Sequence, residues 1–342
     1  MTDVVVIGGG QAGLAAGYYL RRHKLDFVIL DAHAAPGGAW QHAWPSLRLF
    51  SPAQYSSLPG RMMPAPAEGG YPSAADTVAY LTDYERRYDL PVVRPVRVDA
   101  VRRDGDHLRV ESAGGTWRAR TVISATGTWS HPYVPYYPGM RDFAGRQLHT
   151  VDYRGPEPFA GKRVVVVGGA NSGAQVLAEV STFADATWVT LRPPRLLPDE
   201  LDGRALFGLA TSRLRGGAVA DLGDIVAVPS VREARERGAL KAEPMFARLT
   251  ETGVTWADGS ALDCDAIIWC CTGFRPALGH LTPLKLRATN GLIPVDGTQA
   301  RGEPRLHLLG YGDWTGPASA TLIGASRTAR DMVARIVTET SD

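Results

Sequence analysis

Cysteine is scarce in this sequence: three in 342 residues, Cys264, Cys270 and Cys271, with no Cys-x-x-Cys spacing among them. That excludes a disulfide scaffold and a dithiol redox centre of the usual spacing. No stretch approaches the roughly 20 apolar residues that a spanning helix needs, so no membrane partner is expected. The opening MTDVVVIGGG has neither a basic n-region nor the apolar core of a signal peptide, and the cytoplasm is the expected location. No dense block of Lys or Arg stands out and the net charge is +2, which argues against a nucleic-acid partner. No metal site is expected.

What is present is the composition of an ordinary globular chain, 44% apolar and 21% charged, long enough for two domains each with its own core. Glycine and proline are plentiful at 38 and 24, which suits many tight βα turns.

Val4-Val5-Val6-Ile7 is an uninterrupted apolar run, as a parallel strand buried on both faces requires. Gly8-Gly9-Gly10-Gln11-Ala12-Gly13 follows, then a helical stretch from Leu14 to Arg22. A second strand, Phe27 to Leu30, ends at Asp31. The pattern recurs in Arg163 to Val167, Gly168-Gly169-Ala170-Asn171-Ser172-Gly173, a helix over Ala174 to Phe183, and a strand from Thr187 to Leu191 that ends at Arg192. These are two copies of one nucleotide-binding device. Helices are also predicted over Asp76 to Tyr88 and Ala320 to Thr338, short strands from Val92 to Val122, and buried strands at Asp265 to Trp269 and Leu306 to Gly310. Leu197 to Glu243 reads as mixed helix and loop. Domain exchanges are placed at Gly155-Pro156 and Arg275-Pro276.

In the first turn, Gly8 permits the tight bend, Gly10 lets the backbone approach a pyrophosphate, and Gly13 lets helix and strand pack closely. The helix end then presents its partial positive charge to the phosphates. Asp31 is placed to accept hydrogen bonds from an adenosine ribose. The second turn has Ala170 at the middle glycine position, which crowds a phosphate without forbidding it. Arg192 stands where the first copy has Asp31, and Arg195 follows close behind. A carboxylate would repel a 2′-phosphate, whereas a guanidinium pairs with it. The first site therefore reads as one for FAD and the second as one for NADPH, unless Arg192 is only a solvated strand-end arginine.

Between the turns lies Phe143-Ala-Gly145-Arg-Gln-Leu-His149-Thr-Val-Asp-Tyr153. It resembles the F-x-G-x-x-x-H-x-x-x-[YF] fingerprint of the flavin-containing monooxygenase superfamily, and the resemblance covers nearly the whole chain. Ser124-Ala125-Thr126-Gly127 and Cys271-Thr272-Gly273-Phe274 are similar to the two linkers of that superfamily. Gly312-Asp313 resembles its flavin-ribityl pair. In length, and in Pro36 to Gln41 and Tyr55 to Gly60, the chain is similar to compact bacterial members, some of them encoded in arsenic-resistance operons. The fold so implied is α/β: two Rossmann-like, three-layer (ββα, FAD/NAD(P)-binding) domains, with an NADPH domain (156–275) inserted in a discontinuous FAD domain (1–155 and 276–342).

With the resemblance, the FAD contacts expected are Gly8, Gly10, Gln11, Ala12, Gly13, Asp31, Ala32, Gly38, Trp40, Ala125, Thr126, Gly127, Gly312 and Asp313. The NADPH contacts expected are Gly168, Ala170, Asn171, Ser172, Gly173, Arg192, Arg195, Thr272 and Gly273. Asn171 and Ser172 are assigned to pyrophosphate or nicotinamide positioning. Many members carry an Asn beside the flavin; here the stretch reads Leu47-Arg48-Leu49-Phe50-Ser51-Pro52. Ser51 and Arg48 are the candidates there, or else they only order a loop. His149 is either a proton-transfer group or, preferably, a domain latch. Cys270 and Cys271 read as core thiols at a hinge in preference to an arsenical trap. Trp40, Trp44, Trp129 and Trp314 either wall the substrate pocket or fill core.

The activity implied is hydride transfer from NADPH to FAD, O₂ activation as a C4a-hydroperoxyflavin, and oxygen transfer to sulfur, nitrogen or arsenic of a small substrate. An NADPH-dependent flavin reductase or NADPH oxidase without oxygen insertion is the alternative enzyme. A dinucleotide-sensing protein is the alternative without catalysis. The sequence leaves monomer and homodimer both open.

Overall fold

The computed structural model describes residues 1–199, 224–270 and 273–341. The chain begins with β1 (Thr2–Ile7), α1 (Gln11–Arg22), β2 (Phe27–Leu30), α2 (Ala74–Arg87), β3 (Val92–Val93), β4 (Val98–Asp104), β5 (His107–Ser112) and β6 (Gly115–Ser124). It continues with β7 (Arg146–His149), β8 (Arg163–Val167), α3 (Asn171–Val180), β9 (Asp185–Thr190), α4 (Pro229–Glu236) and β10 (Ala242–Pro244). Next come β11 (Arg248–Leu249), β12 (Gly253–Thr255), β13 (Ala261–Asp263) and β14 (Ala266–Trp269). It closes with β15 (Val295–Asp296), β16 (Gln299–Ala300), β17 (Glu303–Leu308) and α5 (Leu322–Ser341).

The first sheet runs β15-β16-β17-β6-β1-β2-β3, with β5 joined to β6 and β4 to β5. Its centre is parallel, β17, β6, β1 and β2 side by side. Val4, Val5 and Val6 of β1 have no exposure, as the continuous apolar run demands when both faces are covered. On one face α1 and α5 pack through Leu14, Leu20, Ala325, Ala329 and Val333. The other face is closed by the β4–β5 hairpin together with Leu278, Leu281 and Leu284. Helix, sheet and hairpin make three layers.

The second sheet, β10-β9-β8-β14-β7, is parallel throughout. Its edge strand β7 pairs Leu148 with Ile268 and His149 with Trp269, so this sheet starts upstream of Gly155-Pro156. A small antiparallel sheet, β11-β12-β13, lies outside both. The two crossings between the large sheets run side by side: Tyr133 N–H donates to Gly273 O at 3.3 Å, Arg275 N–H to His131 O at 2.8 Å, and Ala277 N–H to Gly127 O at 3.0 Å. Among the described residues no helix is long and apolar enough to cross a membrane.

Helix α2 fixes the loop that leads into the site. Ser73 and Asp76 form a capping box, Asp76 N–H donating to Ser73 Oγ at 3.0 Å and Ser73 N–H to Asp76 Oδ2 at 2.8 Å. Such a cap contributes about 1 kcal/mol. One and two turns on, Tyr80 accepts from Leu58 N–H at 2.7 Å and donates to Arg61 O at 2.8 Å, and Tyr84 donates to Pro59 O at 2.7 Å. Segment 58–61 thereby gains the hydrogen bonds that its proline-rich backbone cannot make with itself.

Candidate active site

The two glycine turns have the same backbone. Gly8 and Gly168 sit at φ +110° and +137°, a region that disfavours any side chain. A Cβ on Gly13 would run into Gly8 O, and one on Gly173 into Gly168 O, so the third glycine of each turn is fixed by helix-on-strand packing. Gly10 differs, since a Cβ there would meet only Gly38 Cα, at 3.8 Å. The protein's own packing does not require glycine at that position, which accounts for Ala170 in the second turn. The space above Gly10 suits a ligand instead. Neither α1 nor α3 has a side-chain cap or an acidic residue in its first turn. Their first-turn N–H groups are therefore left for an anion. The donor set fits two pyrophosphates.

The strand ends diverge. Asp31 is 2% exposed and already engaged: Arg94 Nε donates to Oδ2 at 3.0 Å, and the His33 N–H and Nδ1 lie 3.3 and 3.1 Å from Oδ1. A carboxylate has about four acceptor positions, so room for a ribose hydroxyl is left. Ala32 beside it is exposed. Arg192 is exposed and makes no ion pair among the described residues. Arg195 is engaged differently from the expectation, since both arms of its guanidinium reach Asp224, Nε to Oδ1 at 2.9 Å. Asn171 also departs from it: Nδ2 donates to Asp224 O at 3.0 Å and Oδ1 accepts from Val226 N–H at 2.9 Å. The side chain is used to hold segment 224–226, so its backbone N–H is what remains for a phosphate. Ser172 beside it is half-buried.

A cavity of about 110 Å³ opens where the first turn, the loop after it and the start of α5 meet. Trp40, Leu49, Phe50, Ser51, Tyr55, Ser56 and residues Ala320 to Ile323 line it, none of them charged. Gln11 ties its walls together, accepting from Trp40 Nε1 at 2.9 Å and donating to Ala320 O at 2.6 Å. Ser51 faces this cavity, and Arg48 is absent from its lining. The Arg48 guanidinium reaches Tyr71 O at 3.4 Å, while its backbone is clasped by Gln175 of α3: N–H to Oε1 at 3.1 Å, and Nε2 to Arg48 O at 3.0 Å. Ser51 Oγ lies 2.8 Å from Ser56 Oγ, which in turn lies 3.2 and 3.1 Å from the carbonyl oxygens of Ser51 and Pro52. Of the four tryptophans only Trp40 walls the cavity. Trp44 is buried in the second core, Trp129 stacks on Phe274, and Trp314 donates to Ile293 O.

The four fixed positions of the fingerprint all act in packing. Gly145 is required because a Cβ there would strike the Phe143 ring. His149 Nδ1 accepts from Val151 N–H at 3.1 Å, so the ring hydrogen is on Nε2 and points at Gly273 O, 3.3 Å away. Burial lowers the His149 pKa below its usual value. This neutral ring latches β7 to the second crossing. Tyr153 is fully buried and donates to Glu179 Oε2 at 2.8 Å; burial, and then the Glu179 charge, push its phenol far above the usual range.

Of the remaining candidates, Ala12 and Gly38 are buried in the first turn's surroundings. The carbonyl of Ala125 and Cα of Thr126 lie against Gly8. Gly127, Gly273 and Gly312 take positive φ, and Asp313 accepts from Ala318 N–H at 3.1 Å. Cys270 is partly buried against the second core; Cys271 and Thr272 lie outside the described residues. No group of three or more His, Cys, Asp or Glu gathers for a metal among the described residues.

Two uncapped glycine turns, each following a parallel strand of its sheet, with a largely apolar cavity beside the first, are the features of an oxidoreductase with two dinucleotide-binding folds. The family model for pyridine nucleotide-disulphide oxidoreductases matches residues 5–198. A solved flavin-containing monooxygenase from Stenotrophomonas maltophilia is 54% identical, with a TM-score of 0.92 and 99% of each chain covered. An uncharacterized CzcO-like oxidoreductase from Geobacillus kaustophilus is 29% identical over 80% of this chain and 81% of the relative. The indole-3-pyruvate monooxygenase YUCCA1 of Oryza sativa subsp. japonica is 33% identical over 62% of this chain and 53% of its own. The chain belongs to the pyridine nucleotide-disulphide oxidoreductase family and, within it, to the flavin monooxygenases. It is an enzyme, a flavin-dependent oxidoreductase of the monooxygenase class, and membership implies FAD and NADPH as its cofactors.

Proposed function

We propose that this enzyme uses NADPH and O₂ to place one oxygen atom on a soft heteroatom (sulfur, nitrogen or arsenic) of a small substrate. FAD is assigned to the domain of the first sheet and NADPH to that of the second, which β7 joins. The bound flavin supplies hydride acceptance and O₂ activation. The chain's own residues do the rest. The first turn and α1 bind one pyrophosphate, the second turn and α3 bind the other, and Arg192 pairs with the 2′-phosphate. The observation that carries the reading is the uncharged, largely apolar cavity beside the first turn, which favours a neutral substrate.

One observation favours NADPH oxidation without oxygen insertion: the Ser51 hydroxyl, the polar group nearest the expected flavin, is already hydrogen-bonded to Ser56. A single assay separates the readings. Purified protein is given FAD, NADPH and methyl phenyl sulfide under air, and sulfoxide, H₂O₂ and NADPH are counted. Sulfoxide matching the NADPH consumed is the expected result. H₂O₂ matching the NADPH consumed, with no sulfoxide, would favour the oxidase, and no NADPH consumption would overturn both readings.

A further inference from the structure

Behind the first turn lies a buried row of hydroxyls that oxygen transfer does not use. Thr126 Oγ1 donates to Ala277 O at 2.8 Å and lies 2.7 Å from the Tyr311 hydroxyl. Tyr311 lies 2.8 Å from Ser124 Oγ, which lies 3.0 Å from His280 Nε2. The Thr126 N–H also donates to the Tyr311 oxygen, at 3.2 Å. Ser124 has no exposure, and His280 and Tyr311 are 7% and 8% exposed.

Each hydroxyl has one hydrogen, so the directions can be counted. A carbonyl only accepts, so Thr126 gives its hydrogen to Ala277. Tyr311 must then donate to Thr126, Ser124 to Tyr311, and His280 Nε2–H to Ser124. Burial keeps His280 neutral, its pKa down at about 4, in agreement with a ring that donates from one nitrogen. The row ends on a carbonyl, where no proton can be handed on, so it holds position and does not conduct.

What it holds is specific. Ser124 ends β6, Thr126 lies in the outgoing crossing and Ala277 in the returning one, and Tyr311 immediately precedes Gly312-Asp313. The Ala125–Thr126 backbone forms the floor under Gly8, and Gly310 packs so closely on Ala12 that a Cβ would come within 2.8 Å. One phenol thus joins the first turn, both crossings and the loop that carries Asp313.

We propose that Tyr311 is a positioning residue of the FAD site, its hydroxyl setting the Gly312-Asp313 loop at a fixed distance from the first turn; this rests on the FAD reading above. The test is titration of apoprotein with FAD, followed by flavin fluorescence and absorption, for wild type, Tyr311→Phe, Ser124→Ala and Thr298→Val. Thr298 is the control: from the turn between β15 and β16 it makes a buried hydrogen bond to His307 Nδ1 of β17, 3.0 Å, off the row. Tyr311→Phe and Ser124→Ala are expected to weaken FAD binding about tenfold and to shift the flavin absorption maximum. Thr298→Val is expected to lower the thermal midpoint and leave FAD affinity at the wild-type value. Wild-type affinity and spectrum in Tyr311→Phe, or in Ser124→Ala should Tyr311→Phe fail to fold, would overturn the proposal. Equal weakening in all three variants would reduce the row to general stability and overturn it as well. Wild-type protein that takes up no FAD would sink the cofactor reading and this one with it.

Discussion

Arg192 extends from the end of β9 into solvent, while Arg195 is bound at both arms to Asp224. An exposed guanidinium is available to a phosphate; a paired one must first give up its carboxylate. Charge-assisted hydrogen bonds of this kind contribute about 1.5–3 kcal/mol. Arg192→Ala should therefore lower kcat/KM for NADPH by about 10- to 100-fold and leave that for NADH nearly unchanged. An unaltered ratio of the two would remove Arg192 from the specificity site. Arg195→Ala is expected to act on stability more than on coenzyme choice. The glycines of the first turn separate in the same way. Gly13→Ala drives a methyl into Gly8 O and should lower the thermal midpoint of the apoprotein. Gly10→Ala meets nothing closer than 3.8 Å and should leave that midpoint alone while weakening FAD binding, which calorimetry and fluorescence titration would show.

At the level of elements, the Gln175 clasp connects α3 to the loop that forms the cavity floor. Gln175→Leu leaves the Arg48 N–H and C=O without these partners at a half-buried junction, and at about 1 kcal/mol for each the thermal midpoint should fall by a few degrees. Leu49 to Ser51 follow directly, so the sulfoxide yield per NADPH should fall too. A variant with wild-type stability and yield would show that the clasp is incidental. No sequence pattern announces this contact, because a buried glutamine on an amphipathic helix looks like any polar residue. The strands β1, β2, β8 and β14 were legible since continuous apolar runs have one common fate in an α/β chain. By contrast β7, Arg-Gln-Leu-His, has too little apolar character to declare itself, and its place beside β14 is set by tertiary pairing. The strands β11, β12 and β13, two or three residues each, fall below the length at which alternation can be read. The glycine turns were readable because sterics alone dictate them. The uses of Asn171 and Arg195 were not, since both depend on segment 224–226 returning from far along the chain.

For the whole molecule, buried imidazoles govern the response to acid. His280 and His307 are both held down at about 4, burial being the leading cause in each, and the unfolded value is about 6.5. Unfolded chains therefore bind more protons between those limits, and stability must rise with pH there. The contribution is complete above about pH 6.5 and is lost as pH falls toward 4, with a slope of about 1.4 kcal/mol per pH unit for each ring. Urea midpoints measured from pH 7 to pH 4.5 should fall steadily, and His307→Gln should flatten the curve. A midpoint independent of pH across that range would contradict the burial of both rings.

The paired crossings bear on how such a chain arises. β6 and β17 are already neighbours in the first sheet, with Leu306 opposite Val122, and the strands that leave and return between the sheets touch through three backbone hydrogen bonds. An ancestral gene for the first sheet would need a single splice to acquire the second, with no strand reordered. Any later exchange of that cassette for another would meet the same two adjacent ends.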